Sequence, residues 1–327
     1  MKRADHLRRA FVAACVASIA TCNAFAQNFP NKPIRIITPF AAGSGADVAL
    51  RVVSEKMSKT LGQAIIIDNK PGGNGIIAIE VVKKAAPDGY TFVHMNDGHM
   101  ALVPHLYKKP PYDTIKDFDP LGSLSRTHFF VVTAANSPLK SSGDIAAAAR
   151  AKPGVVTYGS WGVGSSGHVG GAMLEAESGT QMSHVPFKDI PVLFQSVAAG
   201  DVAWSFGTAA SAGPLYRAGK LKFLAVTAPK RVAGYTEVPT MAEAGGPANF
   251  ELKAWLGLLA PKDSPPEAKA AMNAALAKAL AEPDVKDKFV TFGFEPFVST
   301  PAEMRVAIEA DNKRFSEIAR RAKISLE

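Results

Sequence analysis

Cysteine is nearly absent from this 327-residue chain: Cys15 and Cys22 are the only two, both close to the N-terminus. The remainder has no thiol nucleophile, no thiolate metal site and no disulfide framework. Long hydrophobic runs are missing as well. The apolar stretch Phe11–Ala20 falls short of the ~20 residues that a bilayer span needs. No G-x-S-x-G nucleophile elbow occurs, because Gly164-Ser165-Ser166-Gly167 has the wrong spacing. His94, His99 and His105 do not form an H-E-x-x-H zinc motif. Lysine and arginine are scattered, with neither a dense basic run nor interleaved aromatics. The excess of +8 therefore reads as a solvated surface that draws in anions rather than as a nucleic-acid interface.

What is present begins with an export signal. Lys2, Arg3, Arg8 and Arg9 precede the short apolar stretch, and Ala24-Phe25-Ala26 reads as a cleavage site before Gln27. Removing residues 1–26 takes away both cysteines and, with four basic residues and Asp5, a charge of +3, leaving +5. A large exported chain without disulfides fits the bacterial periplasm. A lipoprotein site at Ile19-Ala20-Thr21-Cys22 is the weaker reading, since Thr fits poorly before the cysteine.

The remaining chain alternates strand and helix patterns. Ile34–Phe40, Ala64–Asp68 and Tyr90–Met95 read as strands around helices at Val48–Leu61 and Ile76–Ala85. After a strand at Phe129–Thr133 the scheme repeats, with strands Val155–Tyr158, Met182–Phe187 and Val202–Phe206 around helices Val169–Glu177 and Val192–Ala199. Strands Leu221–Val226 and Trp255–Ala260 follow, then helices Glu267–Leu280, Val285–Val290 and Pro301–Arg321. Two βαβαβ units imply an α/β fold of two lobes, each a mainly parallel sheet flanked by helices. Residues 27–125 and 255–327 are expected in one lobe and 126–254 in the other, with hinges near 126 and 254.

Ligands of parallel α/β sheets bind at the carboxyl ends of the strands. Two such ends carry the same local chemistry, an apolar strand followed by a Gly/Ser turn and an amphipathic helix. The first is Phe40-Ala41-Ala42-Gly43-Ser44-Gly45, with Asp47 placed to cap the helix; the second runs from Gly159 and Ser160 through Trp161, Gly164 and Ser165. Each turn aims free N–H groups and a helix dipole at one spot, which makes it an anion cradle. His168, after the second turn, either donates to a carboxylate or stands exposed at a helix start. Asn96, Lys188, Asp189, Phe206 and Thr208 sit in other strand-end loops of the same cleft. Phe40, Trp161, Phe187 and Phe206 are core residues or, taken together, a surface for a flat or aromatic ligand. Gly162-x-Gly164-x-x-Gly167, with Asp189 beyond it, literally matches a dinucleotide fingerprint, so the alternative is an exported α/β enzyme holding a nucleotide cofactor there. Against it, soluble nicotinamide cofactors are not supplied outside the cytoplasm, and the first turn lacks the fingerprint.

Read in order, these residues resemble the Bug, or TctC-like, family of periplasmic solute receptors. The resemblance runs from Phe29-Pro30-Asn31-Lys32-Pro33 through Asp68-Asn69-Lys70-Pro71-Gly72-Gly73-Asn74-Gly75 and Ala86-Pro87-Asp88-Gly89-Tyr90. It continues through Tyr158-Gly159-Ser160, Gly164-Ser165, His168 and His184-Val185-Pro186-Phe187-Lys188 to Trp255. It implies a type II-like Venus flytrap; with no nucleophile or proton-transfer set to assemble from the residues, no enzymatic activity, cofactor or metal is expected. It further implies one ligand carboxylate gripped by Phe40–Gly45 and Gly159–Ser165, and delivery to membrane permease subunits of a tripartite tricarboxylate transporter. A monomer is expected. The chain departs from the family pattern at Asp189, where glycine is usual, at Ala203, where an acid is usual, and at Ser44, where glycine is commoner. An organic acid is the expected ligand, with an aromatic dicarboxylate among the options.

Overall fold

The computed structural model describes residues 29–322; the export signal, the lipoprotein site and both cysteines lie outside them. The first unit runs β1 (Ile34–Thr38), α1 (Gly45–Leu61), β2 (Ile65–Asn69), α2 (Ile76–Lys83) and β3 (Thr91–Asn96). In β1 the pleat sends Ile34 and Ile36 to one face and Ile37 to the other, so both sides of the sheet need cover. Helix α1 supplies one cover through Ala49, Leu50, Val53 and Met57, spaced at helical intervals. Gly62 ends it in the left-handed region at φ 68°, with its N–H on the Ser58 carbonyl.

After α3 (Thr114–Asp117), the 11-residue strand β4 (Phe118–His128) leads into β5 (Phe130–Ala134), the first strand of a second sheet. That sheet continues through α4 (Ser142–Ala151), β6 (Thr157–Ser160), α5 (Ser166–Ser178), β7 (Ser183–Pro186), α6 (Ile190–Ala199), β8 (Trp204–Gly207), α7 (Ala209–Arg217) and β9 (Leu221–Val226). The chain then returns through β10 (Lys253–Pro261) to α8 (Pro266–Ala281), α9 (Pro283–Thr291), β11 (Phe294–Pro296) and α10 (Pro301–Ala322). Helix α10 starts with a reciprocal cap: Glu303 N–H donates to Thr300 Oγ1 at 3.2 Å, and Thr300 N–H to Glu303 Oε2 at 2.8 Å.

The strand orders are β11-β4-β10-β3-β1-β2 in one sheet and β7-β6-β8-β5-β9 in the other. Both sheets are mixed. The βαβ portions β2-β1-β3 and β7-β6-β8 are parallel as expected, whereas β4, β10 and β11 in the first sheet and β5 and β9 in the second pair antiparallel. The reason is topological, since the strands that carry the chain between lobes enter and leave in opposite directions. β4 and β10 lie side by side, with His128 opposite Lys253 and Arg126 opposite Trp255. Just beyond, Thr227 ties both crossings: its Oγ1 accepts from Phe129 N–H at 2.9 Å and donates to the Leu252 carbonyl. Separate cores cover the faces of each sheet. A smaller cluster spans the lobes, where Val169 of α5 meets Leu102, Leu106 and Phe315 of α10. Among the described residues, no helix is long and apolar enough to cross a membrane.

Candidate ligand-binding site

A cavity of about 640 Å³ lies between the lobes, within the size range of small-molecule sites. Its polar edge is built by helix starts. Ser44 caps α1 with φ −67° and ψ 160°, and Ser165 caps α5 with φ −70° and ψ 161°. The backbone bonds of the two turns match. Ser44 N–H donates to the Ala41 carbonyl at 3.1 Å and Ser165 N–H to the Gly162 carbonyl at 3.2 Å. The preceding glycines, Gly43 and Gly164, both have φ +78°, a conformation that a side chain would strain. Thr208 caps α7 through a box with Ser211, bringing a third helix start to the same cavity. The first N–H groups of each helix have no acceptor within it, so all three ends present donors. Lys188 is the one charged side chain of the lining that could add to them, and no carboxylate lines the cavity. Burial holds His99 neutral, pushing it down to about 4.

The rest of the wall is apolar. Phe40 packs edge-on against His99 with ring centres 5.2 Å apart, and Trp161 stacks on Phe129 at 5.6 Å. Phe187, Phe194 and Leu256 complete it. Asn74, in the left-handed region at φ 50°, closes one rim by donating from Nδ2 to the Val163 carbonyl of the opposite lobe at 3.1 Å.

Of the residues expected at the site, Phe40, Ala41, Ser44, Gly45, Asn96, Trp161, Gly164, Ser165, Lys188 and Thr208 line this one cavity. The others stand elsewhere. Ala42 and Gly43 face outward, because the Gly43 N–H turns back to Asp47 Oδ2 at 2.8 Å. Ser160 is fully buried beneath the second turn, bonded to His184 Nε2 at 2.6 Å and to Gly162. His168 faces back into that turn, its Nδ1 accepting from the Gly164 N–H at 3.0 Å. Asp189 is exposed at the start of α6 and makes no capping bond. Phe206 is a core residue stacked on Phe250 at 5.9 Å. Thr127, Phe129, Ala254, Leu256 and Phe294 line the cavity without a local sequence signal, since only the crossing of β4, β10 and β11 brings them there. Asn74 and its glycines lie in the Gly/Pro-rich segment Pro71–Gly75 that follows β2, a turn-forming composition visible in the sequence.

Asp47 organises the first turn. Burial alone would raise its carboxyl, but hydrogen bonds from Arg51 Nε at 2.8 Å, Asn69 Nδ2 at 2.8 Å and the Gly43 N–H hold it below the ordinary range. The third glycine of the fingerprint-like loop has a packing role. A Cβ on Gly167 would sit 2.7 Å from the Trp161 indole, so glycine lets that ring lie flat against α5.

Two α/β lobes joined by paired strands, with a cavity bounded by facing helix starts, define a two-lobed solute-binding protein. Residues 49–324 match the tripartite tricarboxylate transporter family receptor, TctC, and the chain belongs to this Bug/TctC family of periplasmic binding proteins. A UPF0065 protein of Cupriavidus necator is 32% identical over 306 residues, covering 91% of this chain and 90% of its own. The structure of Rhodopseudomonas palustris Rpa4515 with adipate is similar at TM-score 0.86 and 30% identity, covering 91% of this chain and 99% of that one. That of MatC from the same organism, with bound malate, has TM-score 0.81 and 28% identity, covering 89% and 99%. The family is one of transport receptors rather than enzymes, and the structure of periplasmic binding protein BugD is a further neighbour at TM-score 0.84 and 26% identity, covering 91% of this chain and 99% of that one.

Proposed function

We propose that the chain captures a small organic carboxylate between its lobes, as a periplasmic monomer, and delivers it to the membrane permease of a tripartite tricarboxylate transporter. One lobe would comprise 27–125 with 255–327 and the other 126–254. One observation carries the reading: the matched starts of α1 and α5, from opposite lobes, border the same cavity. A carboxylate there would accept from the turn of Ser44 and Gly45 on one side and that of Gly164 and Ser165 on the other, with Thr208 adding a third helix start. Adipate and malate, the acids in the two neighbours, are both dicarboxylates. Here the aromatic wall of Phe40, Phe129, Trp161 and Phe187 favours an acid with a broad apolar body, an aromatic dicarboxylate among them. Lys188, at the exposed edge of the cavity, would face its second carboxylate.

A thermal-shift screen of aliphatic and aromatic acids tests the reading. An acid present at a hundred times its Kd adds about 2.7 kcal/mol of stability and a clear rise in melting temperature. A nucleotide cofactor that raises the melting temperature while every acid leaves it unmoved would overturn the proposal.

A further inference from the structure

The two capping turns differ in the group that catches the glycine N–H. In each, the N–H of the left-handed glycine is caught by the side chain four residues on, but the acceptor is a carboxylate in the first lobe and an imidazole in the second. Gly43 N–H donates to Asp47 Oδ2 at 2.8 Å, and Gly164 N–H to His168 Nδ1 at 3.0 Å. Both acceptor atoms lie one bond beyond Cγ, so the two side chains fill the same role in equivalent turns. Asp47 keeps its acceptor whenever it is ionised, and Arg51 and Asn69 hold it so. An imidazole accepts at Nδ1 only while it is neutral and carries its proton on Nε2.

We propose that His168 is a positioning residue: it holds the Gly164–Ser165 turn in its anion-receiving shape, and it does so only when uncharged. The inference rests on the carboxylate reading of the cavity. Ligand capture by the second lobe then weakens in acid, while the first lobe's turn keeps its grip.

The surroundings agree. His168 stacks on His184 of β7, ring centres 4.0 Å apart and planes within 13°, so charging both rings would set two cations face to face. His184 reaches Ser160 Oγ, and Ser160 in turn bonds both the N–H and the carbonyl of Gly162, so the pair supports both ends of the turn. Tyr158 of β6 packs its ring on His184 at 5.1 Å, and Glu175, further along α5, accepts from the Met182 N–H. Burial lowers His168 and is the one cause of its shift among the described residues; no carboxylate, lysine or arginine acts on it. His184 falls to about 4 through burial first and then repulsion from His168.

Two measurements test this. In 15N-labelled, ligand-free protein, the Gly164 amide should shift with the same midpoint as the His168 ring, which should carry its neutral-state proton on Nε2. Calorimetry with adipate would then compare the wild type with His168→Asn, whose Oδ1 keeps an acceptor in place without a titration, and with His168→Phe, which removes it. Between about pH 7 and about one unit below the His168 midpoint read in that titration, wild-type affinity should fall at least about fivefold further than that of His168→Asn. The Phe variant should be weaker by about that factor already at neutral pH. Identical pH profiles for wild type and His168→Asn would overturn the proposal, as would a Gly164 amide that ignores the His168 titration. The nuclear magnetic resonance arm needs no ligand, so a protein that binds no adipate counts against the carboxylate reading while the role of His168 is still decided.

Discussion

Gly45 is the first residue of α1, and the two atoms that a methyl there would crowd belong to the other lobe, with Phe294 Cζ of its own lobe at ordinary contact, 3.4 Å. A Cβ at position 45 would lie 2.9 Å from Thr208 Oγ1 and 3.1 Å from the Ala210 Cβ, both at the start of α7. Neither neighbour can step aside. Thr208 Oγ1 is held by Ser211 through Oγ at 2.9 Å and N–H at 3.2 Å, and the Ala210 Cβ moves only with its backbone. Gly45→Ala therefore forces the lobes apart by a few tenths of an ångström. Overpacking of this kind costs about 1–3 kcal/mol, and here the cost falls on the arrangement in which the two lobes touch. Carboxylate affinity should drop by about 5- to 150-fold, read by calorimetry with the acid that the screen selects. Within α1 itself alanine is the better helix former, so the first lobe should be no less stable. Gly62→Ala is the contrasting control: at φ +68°, with no atom within 4 Å, it should cost about 1 kcal/mol of stability and leave affinity unchanged. A Gly45→Ala protein that binds within about twofold of wild type would refute the claim that the lobes meet there when ligand is held.

Two further predictions follow from charge. Lys188→Met should weaken a dicarboxylate about fivefold while leaving the matching monocarboxylate unaffected, as paired calorimetric titrations would reveal. Asp97 is buried beside the cavity loop; burial first, then Asp311, pushes its carboxyl up to about 7 from 3.8, against the pull of Arg314. The folded state thus keeps a proton that the unfolded chain releases, so the Asp97 contribution to stability falls as pH rises from about 4 to about 7. Asp97→Asn should flatten that slope in denaturation curves across this window, and an unchanged slope would contradict it.

Much of this molecule was legible along the chain because its signals are local. The alternation in Ile34–Thr38, the helical spacing of Ala49, Leu50, Val53 and Met57, and the Gly/Ser turns each need only neighbours within a few residues. The turns at Ser44 and Ser165 adopt matching shapes because glycine and serine at those offsets satisfy the same backbone bonds. Strand β4 had no such signature. Pro120, Gly122 and three Ser or Thr residues interrupt its pattern, and it forms because β10 and β11 pair with it. Helices α4 and α7 were likewise not read from the sequence, α4 being a short run of alanines and α7 carrying Gly213 and Pro214 within it.

By itself the sequence determined the element types, the repeated βαβαβ scheme and the chemistry of each turn, because those follow from backbone geometry and short-range hydrogen bonds. Only the tertiary structure decided which atoms share the cavity. Phe206 went to the core, His168 turned back on its own loop, and Phe129, Leu256 and Phe294 came to the cleft from strands far apart in the chain. Side-chain direction and long-range strand pairing depend on the packing of both lobes together, and no local pattern encodes them.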